Sequence, residues 1–192
     1  MPKPDPSDLP TIRARASEGD ASAQILLARN YRHGWGLERD PAQALAWFSR
    51  AAAAGDARAQ YGLAQMLAEG EGGAPDLEAA WRWFLAAARQ GHAPAQAMVG
   101  WYLQQGLAVP ADAEAAAGWY AQAAAGGDAT ARYNLGLMYA RGTGVSRSAA
   151  RAVVPAASAA SAPRDSVSVR RTTRNPAPSR PITAAAGTTV PS

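Results

Sequence analysis

The chain has 192 residues, a net charge of +4, 48% hydrophobic residues and no Cys. Without Cys there are no disulfides, thiolate nucleophiles or thiolate metal sites. The opening Met1–Pro10 has no apolar segment of the secretory-signal kind, and no run approaches 18 apolar residues, so a cytoplasmic protein with no membrane span is expected.

In chain order, residues 1–8 form a Pro-rich lead expected to be disordered. Ser7 or Asp8 can cap a short helix over 9–18, with Pro10 tolerated in its first turn. The stretch Ala16-Ser17-Glu18-Gly19-Asp20 matches Ala52-Ala53-Ala54-Gly55-Asp56, which lies 36 residues on (56 − 20). It reads as a half-repeat closing the N-terminal end of a stack.

That spacing governs the chain. Trp47, Trp83 and Trp119 are 36 apart (83 − 47 and 119 − 83), and so are Gly55, Gly91 and Gly127. A fixed period between 20 and 50 residues marks stacked repeats. They fall at about 21–56, 57–92 and 93–128, with a partial one at 129–146. In the first helix of each, the pattern Leu27, Leu63, Val99, Leu135, then Ala28, Ala64, Gly100, Gly136, then Tyr31, Leu67, Leu103, Tyr139 predicts one packing stripe. Gly34, Gly70, Gly106 and Gly142 are placed to end these helices in the left-handed conformation. Asp40, Asp76 and Asp112 are placed to cap the second helices, whose aromatic pairs are Trp47–Phe48, Trp83–Phe84 and Trp119–Tyr120. Ala108 stands where the loop's second Gly is expected, which predicts a different conformation for the third loop.

The run Leu135-Gly136-Leu137-Met138-Tyr139-Ala140-Arg141-Gly142-Thr143-Gly144-Val145, with the Asp, Trp-aromatic and Ala-Ala positions of each second helix, resembles the Sel1-like repeat family, relatives of the tetratricopeptide repeats. The resemblance covers roughly residues 13–146. It implies an all-α, right-handed solenoid of helix-turn-helix units acting as an adaptor in protein complexes, and it implies no catalytic residue.

The period also weighs against chemistry. His33 and His92 are the only histidines and no Cys accompanies them, so neither metal nor cofactor is expected. Asp20, Asp56 and Asp128 fall in register with helix starts and read as caps rather than as acid–base groups; the Ser residues have no His base nearby. The chain reads as no enzyme.

A second set on the first helices lies outside the predicted packing stripe: Arg29, Asn30 and His33; Gln65, Met66 and Glu69; Met98, Trp101, Tyr102 and Gln105; Leu137, Met138 and Arg141. Together with Leu26, Gly62 and Asn134 they recur at i, i+3, i+4 and i+7 and so share one face. Stacked, these faces would line an inner wall binding a protein or peptide. Trp101 and Met98 are of the kind that anchor interfaces, and equally of the kind that fill gaps between hairpins.

After Val145 the register fails, with Ser148, Pro155 and Ala156 where Asp, Trp and an aromatic are due. Residues 147–192 hold seven Arg, one Asp and no aromatic, and are expected to be an Ala/Ser/Pro/Arg-rich disordered tail, native or the product of truncation or frameshift. Dispersed Arg without aromatics argues against nucleic acid. The unfinished fourth repeat suggests self-association through that end, or docking there as an accessory subunit of a larger complex.

Overall fold

The computed structural model describes residues 8–144. The expectations for Ser7, for the rest of the lead and for the tail after residue 146 lie outside them. Among the described residues eight helices follow one another: α1 (Leu9–Ser17), α2 (Ala21–His33), α3 (Pro41–Ala53), α4 (Ala57–Glu69), α5 (Leu77–Arg89), α6 (Ala93–Gln105), α7 (Ala113–Ala125) and α8 (Ala129–Arg141). The first helices of the four repeats begin at Ala21, Ala57, Ala93 and Ala129, and the second at Pro41, Leu77 and Ala113, each set 36 apart (57 − 21 and 77 − 41). Each helix packs on the one before and the one after, so the chain is an all-α stack of hairpins.

Caps set the helix limits. The Asp20, Asp56 and Asp128 carboxylates accept first-turn backbone N–H groups of α2, α4 and α8, and Asp40, Asp76 and Asp112 do so for α3, α5 and α7. Such a cap contributes about 0.5–2 kcal/mol. The seventh belongs to His92, whose Nδ1 accepts the Ala95 N–H at 3.3 Å. Asp8 sits at the start of α1, but its side chain accepts no capping bond. The first helices end at Gly34, Gly70, Gly106 and Gly142, with φ of 71°, 70°, 69° and 67°. The loops then close identically: the Asp40, Asp76 and Asp112 N–H groups donate to the Tyr31, Leu67 and Leu103 carbonyls, each at 2.9 Å.

The third loop does not depart as expected. Ala108 adopts φ 58°, the left-handed conformation of Gly36 (70°), Gly72 (87°) and Gly144 (70°) at the same place. Bonds on either side hold the loop, and the Ala accepts a strain of about 1–2 kcal/mol.

Within each repeat, Phe48, Phe84 or Tyr120 is buried as the anchor of the second helix. The tryptophans differ. Each is half-buried and reaches the core of the preceding unit: Trp47 the cluster of Ile12 and Leu27, Trp83 that of Phe48 and Leu63, Trp119 that of Phe84 and Val99. Tyr31, Leu67 and Leu103 likewise each touch two neighbouring clusters. These residues join repeat to repeat, the nearest-neighbour coupling on which a solenoid depends. A buried glutamine adds to the joint: the side-chain amides of Gln24, Gln60 and Gln96 donate to the Ala16, Ala52 and Ala88 carbonyls at 3.0, 3.3 and 3.2 Å.

Candidate functional site

The first helices form one row. Arg58 of α4 donates to the Ser22 hydroxyl of α2 at 3.2 Å, and Arg32 of α2 to the Gln65 side-chain oxygen of α4 at 3.5 Å. Along this row His33, Glu69, Trp101, Gln105 and Arg141 are exposed, and Arg29, Gln65, Met98 and Leu137 are half-buried. Four residues expected on this face are not on it: Asn30, Met66, Tyr102 and Met138 are at most 1% exposed. The position three on from the core Leu or Val lies as near the helix's inward side as the position four on, so both face the core. Indeed Tyr31, Leu67, Leu103 and Tyr139, four on, are the less buried set.

Charge on the row is concentrated at α2 and α4. Arg32 bridges Glu69 and Glu71, at 2.8 Å each. The hydrogen bond from Arg32 holds the Glu71 carboxyl below its usual range. Glu69, expected to meet a partner, is thus engaged within the fold. Asp56 is likewise held low by a hydrogen bond from Arg58, with 2.7 Å between the charged groups. Farther along, α6 carries no charged side chain, and α8 carries Arg132 and Arg141 but no carboxylate.

Between α6 and α8 the row opens into a groove of about 310 Å³, lined by Ala97, Met98, Trp101, Thr130 and Asn134. Trp101 is 40% exposed and stands edge-on to the buried Tyr102, ring centres 5.5 Å apart. Met98 rests against the cluster of Phe84 and Val99. Trp101 and Met98 therefore each pack against the core and also line the open groove. Ala97 and Thr130 were outside the sequence expectation, although the period holds a signal: Ala97 stands where the other repeats have Ile25, Tyr61 and Tyr133.

The lining holds no group that ionises near neutral pH. Among the described residues no group of three His, Asp or Glu is placed to hold a metal. His33 stacks on Trp35 at 4.6 Å, and His92 is a cap whose basicity burial lowers. Beneath the row, burial pushes the Tyr120 phenol up to about 12, and its hydroxyl donates to the Gln104 side-chain oxygen at 2.9 Å. No helix among the described residues is long and apolar enough to cross a membrane.

Comparison with known proteins agrees with this geometry. The family model described as Sel1 repeat matches residues 21–56, 57–92, 93–128 and 129–154. The last match runs past the boundary expected at 146. The fold is similar to the crystal structure of a Sel1 repeat protein from Oxalobacter formigenes, at 32% identity and TM-score 0.65, covering 68% of this chain and 54% of that one. It is also similar to c5321, a protective antigen present in uropathogenic Escherichia coli strains and displaying an SLR fold. There the identity is 37% and the TM-score 0.69, over 71% of this chain and 29% of that one. The chain thus spans about half and under a third of the lengths of these two structures. No curated protein gives a significant match.

Proposed function

We propose that this chain, which belongs to the Sel1 repeat family, is a non-enzymatic cytoplasmic adaptor that holds a protein or peptide against the row formed by α2, α4, α6 and α8. Sel1 repeats generally mediate protein–protein interaction. The observation that carries the reading is Trp101, a large aromatic left 40% exposed beside a groove on that row. Buried aromatic anchors dominate interface energetics, and a Trp waiting half-covered is suited to become one. The test is capture by the full chain and by a variant carrying Gln65→Ala, Trp101→Ala and Gln105→Ala together, both checked for equal helicity. Binders lost from the variant support the reading; binders retained in full refute it.

A second reading has its own observation. Tyr133 on α8 is 67% exposed, and Leu137, one turn on beside it, is only half-buried. We propose this end as a self-association or docking surface. Light scattering across a concentration series, with Tyr133→Ser as control, tests it; a chain that stays monomeric throughout rules out self-association.

A further inference from the structure

The four first helices share one position of the 36-residue period, held by Ile25, Tyr61, Ala97 and Tyr133. Tyr61 shows what a ring does there: it lies 5.7 Å from Phe84 and 4.9 Å from His92, filling the space between α4 and the elements after it. The Gln65 side-chain amide then donates to the Tyr61 hydroxyl at 3.0 Å. One repeat on, each participant has its counterpart 36 residues later: Tyr120 for Phe84, Asp128 for His92 and Trp101 for Gln65. The ring itself is missing, because Ala97 stands in place of Tyr61. The groove of Ala97, Met98, Trp101, Thr130 and Asn134 borders the position where that ring is missing.

We propose that this groove takes an aromatic side chain from an extended segment of a protein partner, which completes from outside the contact that Tyr61 makes from within. The inference deepens the adaptor reading and rests on it. The occupant's chemistry follows from the surroundings. Trp101 and Met98 offer an apolar wall with an indole face, suited to ring contact worth more than area alone. The polar part of the lining is neutral, supplied by Thr130 and Asn134. Neither α6 nor α8 carries a carboxylate, and the Asp128 carboxylate accepts the Ala131 N–H at 2.7 Å. Arg141, by contrast, is exposed on the same stripe of α8, seven residues beyond Asn134. Seven residues of helix rise about 10 Å, the reach of about three residues of extended chain. The fitting segment therefore bears a Phe or Tyr with an acidic residue about three positions away.

The probe is a displayed library of random twelve-residue peptides, selected on the full chain and re-tested on variants that borrow residues from other repeats. Ala97→Tyr fills the groove as Tyr61 does, and Trp101→Gln removes its wall with the residue found at position 65. The proposal expects enriched peptides to share an aromatic and an acidic residue. It expects their affinity to fall at least tenfold on Ala97→Tyr and on Trp101→Gln, and severalfold on Arg141→Glu, at unchanged helicity. Should Ala97→Tyr fold poorly, Ala97→Ile, the residue at position 25, replaces it. Enriched peptides with no shared aromatic, or affinity indifferent to both groove variants, overturn the proposal. If those peptides still lose affinity on Gln65→Ala and Gln105→Ala, the adaptor reading survives the loss of the groove. An empty selection overturns the groove proposal, and the adaptor reading then stands or falls on capture by the full chain against the triple variant.

Discussion

Asn30 is the least comfortable residue in the core. It is fully buried, and neither its side-chain nitrogen nor its side-chain oxygen has a hydrogen-bond partner. The same position in the later repeats is filled by buried Met66, Tyr102 and Met138, so the site accepts apolar side chains. Asn30→Leu keeps nearly the same shape while removing two unpaired polar groups. Leaving such a group buried costs about 1–3 kcal/mol, and Leu exceeds Asn in helix propensity by a few tenths. Allowing for imperfect fit of the methyl groups, a net gain of about 1–3 kcal/mol is expected. For a folded part of this size each kcal/mol moves the melting temperature by roughly 3–5 °C, so the shift should be about 3–15 °C upward. Circular dichroism at 222 nm during heating, and a denaturant titration read for an unchanged slope, measure it. A lower melting temperature would refute the reasoning, for it would mean that the Asn30 amide is bonded in solution and holds α2 in place.

Trp83→Ala should destabilise by about 2–4 kcal/mol, somewhat below the range for a fully buried aromatic. It should also cost more than Trp119→Ala, since Trp83 touches the clusters on both sides of it and Trp119 only one, a difference that paired thermal melts resolve. Ala108→Gly should stabilise by up to about 1 kcal/mol, as relief of the left-handed strain is partly offset by a more flexible unfolded chain. Equal or lower stability on chemical denaturation would show that the loop is unstrained. His92 titrates below its ordinary value because it is buried, with Arg58 adding to this and Asp56 opposing it. A depressed His contributes stability that is present above the unfolded value of about 6.5 and is lost as pH falls through that value toward the folded one. Protonation also turns the capping Nδ1 from acceptor to donor. His92→Asp, the cap used at Asp20, Asp56 and Asp128, should flatten the fall in melting temperature between about pH 7 and pH 5; an identical fall in both proteins would exclude the His92 cap as its cause.

Local signals were the most legible. A carboxylate that caps and a Gly that ends a helix act within four residues, so Asp40 and Gly34 mark their helix limits without knowledge of the stack. The period then carried these limits through the chain. What escaped depended on neighbouring helices. Choosing Asn30 over Tyr31 as the second core position needs the direction of α3 and α4, and the polarity of Asn30 concealed its burial. The Gln24, Gln60 and Gln96 bonds were within reach of the same spacing, but a Gln on a helix looks solvated until the carbonyl it meets is placed. Ala108 was misjudged because its loop is held by bonds at both ends. At the site, exposed Trp101 and half-buried Met98 could be named from sequence; the groove between them and α8 could not, because it arises from the smallness of Ala97 across a repeat boundary.

On the proposed function, partners lie on the row of first helices. Hydrogen exchange read by mass spectrometry, on the full chain with and without a peptide or protein that binds it, tests this most directly. Protection concentrated in α4, α6 and α8, with the segment holding Met98 and Trp101 most affected and α3, α5 and α7 unchanged, is the predicted result. Protection confined to the second helices, around Trp47, Trp83 and Trp119, would contradict it.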